Sequence, residues 1–205
     1  MRAGFIGLGA MGTPMAVNLH KAGLLGSIWN RTAGKAASLA AELGCHHADN
    51  PGDLGAISDV VVLCVSGDED VLEMADAVAP QLAAGAVVVD CSTVSATTAR
   101  EACRRLKLAG AGFLDCPVSG GTEGARAGSL SIMVGGDPSD LDRARPVLEA
   151  MGRTIVHMGP VGAGQATKAT NQIMVAGINQ AVTEALAFAA ACELPMDSLI
   201  TALSG

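Results

Sequence analysis

Aromatic side chains are nearly absent. The chain has one Trp, three Phe and no Tyr in 205 residues. Large rings therefore cannot build the core, and packing must rest on close helix–sheet approach, for which 26 glycines and many alanines are suited. Clustered positive charge is also missing. Thirteen Lys and Arg stand against 20 Asp and Glu, a net charge of −7 with no basic run, which argues against a nucleic-acid or anionic-membrane partner. None of the six cysteines (Cys45, Cys64, Cys91, Cys103, Cys116, Cys192) forms a C-x-x-C pair, so a zinc or redox motif has no support. Most lie in apolar runs such as Val60–Val65 and are expected to be buried free thiols in a reducing compartment. His46 and His47 are adjacent, would diverge on a strand and have no third ligand nearby, so no metal site is expected. With the first strand starting almost at Met1, no leader is expected before it, and a cytoplasmic location is expected. The longest apolar stretch, Ile173–Cys192, is broken by Asn179, Gln180 and Glu184; it reads as a buried helix rather than a membrane span.

What is present is alternation. Strands are expected at 3–7, 25–30, 59–65, 86–90, 112–115, 131–134 and 154–157. Helices are expected at 11–22, to 42, at 69–82, 97–109 and 138–151. The run 59–65 is apolar throughout, as a strand covered on both sheet faces must be. Repeated β-α-β units imply a mostly parallel sheet with helices on both sides. A Gly/Pro-rich hinge at Gly159–Gly164 then changes the texture. Beyond it lie a long helix, about 165–192, and a short one, 196–203, separated by Pro195. The expected division is 1–161, an α/β domain, and 162–205, the start of an all-α domain.

Gly7-Leu8-Gly9-Ala10-Met11-Gly12 matches G-x-G-x-x-G between a strand and a helix, the context that gives this pattern meaning. Gly7 permits the tight turn, Gly9 lets backbone approach a pyrophosphate, and Gly12 lets helix and strand touch. The helix N-terminus faces the phosphate charge. This is the dinucleotide-binding turn of a Rossmann-like, doubly wound sheet. The second strand ends Asn30-Arg31-Thr32, where an acid would otherwise bind the adenine ribose 2′-hydroxyl. Arg31 would attract a 2′-phosphate, and Asn30 and Thr32 can hydrogen-bond it. NADP(H) is therefore expected in preference to NAD(H), with NAD(H) possible.

Four blocks in this order resemble the β-hydroxyacid dehydrogenases, which include 3-hydroxyisobutyrate dehydrogenase and tartronate semialdehyde reductase. They are Gly4–Met15, Asp90-Cys91-Ser92-Thr93-Val94, Asp115–Gly121 and Gly162–Gln172, and together they span almost the whole chain. The resemblance implies hydride transfer between NADP(H) and a small carboxylate-bearing hydroxyacid or semialdehyde. It also implies further helices after those present here, in the domain that shapes the substrate pocket. If the chain is truncated at Gly205, the helix 165–192 exposes apolar surface unless a partner covers it, so a homodimer or higher oligomer is expected.

The resemblance assigns roles. Lys168 is the general acid in reduction and the general base in oxidation; burial beside a cofactor would bring its pKa into range. Asn171 and Gln172, at i+3 and i+4, share a helix face with it and would orient substrate. Ser119, Gly120 and Gly121 would bind the substrate carboxylate through the hydroxyl and unobstructed N–H groups. Thr93, Val65 and Ser66 follow strand ends and would contact the nicotinamide half. Arg126 is placed equally well as a substrate or cofactor partner and as a solvent-facing cation. Two alternatives remain open: an imine reductase, which usually has Asp or Tyr in place of Lys168, and a non-catalytic cofactor-binding interaction domain.

Overall fold

The computed structural model describes residues 1–204. In chain order the elements are β1 (Ala3–Ile6), α1 (Gly12–Lys21), β2 (Leu25–Trp29), α2 (Ala33–Leu43), β3 (His46–His47), α3 (Pro51–Ala56), β4 (Val60–Leu63) and α4 (Asp68–Val78). A 3-10 turn, Ala79–Gln81, precedes β5 (Val87–Asp90), α5 (Ala96–Leu108), β6 (Gly112–Asp115), β7 (Val118–Ser119), α6 (Gly121–Ala127) and β8 (Leu130–Gly136). The series ends with α7 (Pro138–Met151), β9 (Gly152–Gly159), α8 (Ala163–Ala191) and α9 (Met196–Leu203).

The sheet runs β3-β2-β1-β4-β5-β6-β8-β7, with β9 beside β8. From β3 to β6 every pair is parallel; β8 is antiparallel to β6 and β7 and parallel to β9. Strands β1, β4 and β5 are buried at every position. Their side chains alternate between two cores, as a period of two requires. Phe5, Val60, Val62, Val87 and Val89 face one core with α1 and α7 residues. Ile6, Val61, Leu63 and Val88 face the other with α4 and α5 residues.

Register fixes where chemistry can occur. Ile6 pairs with Leu63, Leu63 with Asp90, and Asp90 with Asp115. The carboxyl ends of β1, β4, β5 and β6 are therefore level, and the loops after them open on one edge, where doubly wound sheets bind ligands.

Expected elements lie within about two residues of those observed. The exception is the end of α4, where the last turn tightens to 3-10 around Pro80, a residue with no N–H to continue an α-helix. Sequence periodicity does not show β3, α3, β7 or α6, each seven residues or fewer, too short for a periodic signal. Cys91, Cys103 and Cys116 are buried as expected; Cys45 and Cys64 are half-buried and Cys192 is exposed.

The chain divides into two compact units, Met1–Lys168 and Ala169–Gly205. The second holds the rest of α8 followed by α9; Ala189 is buried and its carbonyl accepts the Leu194 N–H at 3.1 Å. The burial expected for the long helix is not seen: Ile173, Met174, Ile178, Val182 and Phe188 are exposed. Helix α8 is also long and apolar enough to cross a membrane by length and composition alone.

At the level edge Asp90 is fully buried. Its Oδ1 accepts the Ser92 N–H at 2.9 Å, and its Oδ2 has no hydrogen-bond partner among the described residues. Burial pushes this carboxyl up to about 7, against the pull of Ser92, with the negative charge of Asp115 adding. The folded chain then holds a proton that the unfolded chain releases near pH 4. Asp90 therefore makes stability fall as pH rises from about 4 to about 7, by no more than about 1.4 kcal/mol per unit. Asp90→Asn is expected to flatten that slope in urea unfolding at pH 5 and 7.5; an unchanged difference between the two pH values would contradict it.

Candidate functional site

The loop between β1 and α1 is held by what its glycines lack. Gly7 has φ of 98°, and a Cβ there would lie 2.2 Å from the Cys64 carbonyl oxygen. A Cβ on Gly12 would lie 1.9 Å from the Gly7 carbonyl oxygen. Both positions admit only hydrogen, so β1, β4 and α1 meet backbone to backbone. Gly9 differs: its Cβ would meet nothing within 4 Å. The space over Gly9 is thus open, as close approach of a pyrophosphate requires. The loop is pinned by Gly7 N–H to Trp29 O (3.1 Å), Thr13 Oγ1 to Leu8 O (3.0 Å) and Leu8 N–H to Asn30 Oδ1 (2.9 Å). Helix α1 has no acid in its first turn, so nothing opposes an anion at its N-terminus.

Gly7, Leu8, Gly9, Asn30, Arg31, Val65 and Ser66 line one cleft of about 170 Å³, together with Lys35 and Asp70. Seven of the twelve residues expected to contact cofactor thus share one cleft. Ala10 lines an adjoining cavity with Gly9 and Lys35, while Met11 and Thr32 are the residues before α1 and α2. Two assignments differ in detail. Asn30, expected to meet a 2′-phosphate, spends its carboxamide on the loop: Oδ1 accepts from Leu8, and Nδ2 donates to Thr32 O at 3.3 Å. Arg31, expected to be available, donates to Asp70 Oδ1 at 2.5 Å and to Glu73 Oε2 at 2.9 Å. Its hydrogen bond to Asp70 raises its pKa further. Lys35, which no sequence motif marks, lies in the first turn of α2 beside the same cleft.

The second half of the edge is built around two buried polar residues. Asp115 ends β6 and is fully buried. Its Oδ1 accepts the Gly162 N–H at 2.7 Å and its Oδ2 the Gln165 N–H at 2.8 Å. Burial raises its pKa, and those N–H donors work against the rise. Gln165, 3% exposed, donates from Nε2 to Ser92 O at 2.8 Å and accepts the Val94 N–H on Oε1 at 3.2 Å. It thereby brackets Thr93, which is itself exposed. Ser92 Oγ accepts the Val65 N–H at 2.9 Å, joining the loops after β4 and β5. Lys168, three residues after Gln165 and so on the same helix face, is half-buried, and burial lowers its pKa. Neither Asp115 nor Gln165 was given a role from sequence, because the first lies 47 and 50 residues from its partners and the second 73.

Ser119 closes β7, and Gly120 (φ 132°) and Gly121 (φ 62°) follow it at the start of α6, both exposed. Asn171 and Gln172 belong to the second unit, where Asn171 Nδ2 donates to Gln172 Oε1 at 3.2 Å. Arg126 lines the cavity beside Ala10 together with Lys21 and Lys35.

The two glycines separate ligand contact from packing. Gly9→Ala is expected to leave stability within about 0.5 kcal/mol while weakening dinucleotide binding on the order of tenfold, about 1.4 kcal/mol. Gly12→Ala is expected to lose stability as well, by about 1–3 kcal/mol. Urea melts and a fluorescence titration with reduced dinucleotide read both. Wild-type binding by Gly9→Ala would show that no ligand approaches there.

Comparison with known proteins agrees with this geometry. The NAD-binding domain of 6-phosphogluconate dehydrogenase matches residues 2–159. The NAD-binding domain of NADP-dependent 3-hydroxyisobutyrate dehydrogenase matches residues 162–205. An NAD-dependent L-serine dehydrogenase of Pseudomonas aeruginosa is 41% identical over 91% of this chain and 63% of its own length. A 2-hydroxy-3-oxopropionate reductase of Escherichia coli is 40% identical over 92% of the chain and 65% of its own. The structure of Mycobacterium tuberculosis 3-hydroxyisobutyrate dehydrogenase with L-serine superposes with a TM-score of 0.93 at 39% identity, covering 100% of this chain and 71% of that one. The chain thus spans about two-thirds of the length of these relatives. On the match of both domain models and of these relatives, the chain belongs to the β-hydroxyacid dehydrogenase family and carries its nicotinamide-dinucleotide-binding fold.

Proposed function

We propose that this protein transfers hydride between NADP(H) and a small carboxylate-bearing β-hydroxyacid or semialdehyde, with Lys168 moving the accompanying proton. The observation that carries the reading is the fixing of the first turn of α8 to the loop containing Thr93, at the same sheet edge as the glycine loop. The glycine loop with Val65, Ser66 and Thr93 would hold a reduced nicotinamide dinucleotide, which would supply the hydride for the carbonyl carbon of the semialdehyde. Lys168 Nζ gives its proton to the carbonyl oxygen as the alcohol forms, and takes one back in the oxidative direction. Partial burial helps by lowering the lysine pKa toward neutrality, where donation is easier. Ser119, Gly120 and Gly121 hold the substrate carboxylate through the Ser119 hydroxyl and backbone N–H groups. Asn171 and Gln172 orient the substrate.

For the cofactor, the cleft supports the phosphorylated form. No acid follows β2, and Arg31 and Lys35 both line the cleft. A 2′-phosphate there competes with Asp70 and Glu73 for Arg31 and gains Lys35 as a second cation.

Lys168→Ala is expected to lower kcat for semialdehyde reduction by about 10²- to 10⁴-fold while NADPH affinity changes little. Steady-state kinetics with tartronate semialdehyde and methylmalonate semialdehyde, alongside NADPH fluorescence, measure both. Turnover at the wild-type rate would remove Lys168 from the chemistry.

A further inference from the structure

A catalytic lysine on a helix must be held still relative to the cofactor, since displacement by about 1 Å can cost on the order of 10² in rate. In this chain two N–H groups at the N-terminus of α8 are taken by a residue from another element. Asp115, from the end of β6, reaches under it and takes the N–H groups of Gly162 and Gln165, one on each carboxylate oxygen. Both are donors that a helix start leaves without intrahelical partners, and a negative charge there also suits the helix dipole. Access for the helix is made by two glycines. A Cβ on Gly164 would lie 2.4 Å from the Met133 carbonyl oxygen and 2.5 Å from that of Asp115. A Cβ on Gly135 would lie 2.4 Å from Asp115 Oδ1.

The same turn grips the opposite side through Gln165. Its amide satisfies one acceptor and one donor on either side of Thr93, the Ser92 carbonyl and the Val94 N–H. Ser92 in turn fixes Val65. Lys168 lies one turn further along the face that Gln165 presents to this loop.

We propose that Asp115 and Gln165 are positioning residues forming a clamp that sets the first turn of α8, and with it Lys168, against the loop that contains Thr93. The clamp rests on the assignment of Lys168 above. Asp115 fixes the height of the helix on the sheet edge, and Gln165 fixes its distance from Thr93. Neither touches the reacting atoms.

The test compares Gln165→Met, which keeps the length and loses both hydrogen bonds, with Asp115→Asn, which loses the charge and one acceptor. Two readouts are used. One is amide hydrogen exchange of the cofactor-free protein at Val94, Gly162 and Gln165. The other is the division of any activity loss between kcat and KM, with Lys168→Ala measured in parallel. Gln165→Met is expected to deprotect Val94, lower kcat 10- to 100-fold and change KM and NADPH affinity less than threefold. Asp115→Asn is expected to deprotect Gly162 and Gln165 and to shift kcat in the same way. Should Asp115→Asn fail to fold, Gln165→Met carries the test alone. A folded Gln165→Met with wild-type kcat overturns the clamp even if Lys168→Ala is inactive. Equal losses in kcat and NADPH affinity overturn it too, because they mark general loosening. Wild-type turnover by Lys168→Ala instead overturns the assignment beneath it.

Discussion

Backbone-to-backbone contact at Gly7 and Gly12 is the constraint on which the rest depends. With Gly12 nearly touching the Gly7 carbonyl, and Gly7 nearly touching that of Cys64, α1 starts directly against the ends of β1 and β4. No side chain intervenes. The loop that results is open over Gly9, and the level register from β1 to β6 brings the ends of β4, β5 and β6 to the same edge. A chain with so few aromatics can afford this approach: its cores are filled by Val, Leu, Ile and Ala, whose small cross-section lets sheet and helices sit close.

Polar groups on that edge are used for placement before they are used for binding. Asn30 holds the glycine loop, Ser92 joins two loops, and Gln165 joins a loop to α8. Ser92 and Gln165 are buried, so losing their hydrogen bonds leaves partners with little access to replacement water. Asp90 is the exception. One of its oxygens lacks a partner among the described residues, and its carboxyl is pushed up to about 7 by burial. The cleft's charge is likewise arranged internally, with Arg31 held by Asp70 and Glu73.

The doubly wound sheet was legible because its signals are local. Apolar runs such as Val60–Leu63 announce strands buried on both faces, and a glycine pattern between a strand and a helix announces the turn. The cleft residues Gly7, Gly9, Arg31 and Val65 follow from that pattern. Long-range pairings were not legible. Nothing in Asn30-Arg31-Thr32 reveals that Asp70 and Glu73, on α4, converge on Arg31. Nothing in Asp115–Gly121 reveals that its first residue caps a helix 47 residues later. The apolar run after Lys168 was read as a buried helix, because apolar composition normally means burial; in the described residues it is largely exposed.

The most direct measurement is a fluorescence titration of this chain with NADPH and with NADH, for the wild type and for Arg31→Asp. Tighter binding of NADPH, with the preference abolished by Arg31→Asp, is the expected result. Failure to bind either dinucleotide would contradict the assignment of the glycine cleft, and a preference for NADH in the wild type would contradict the role given to Arg31.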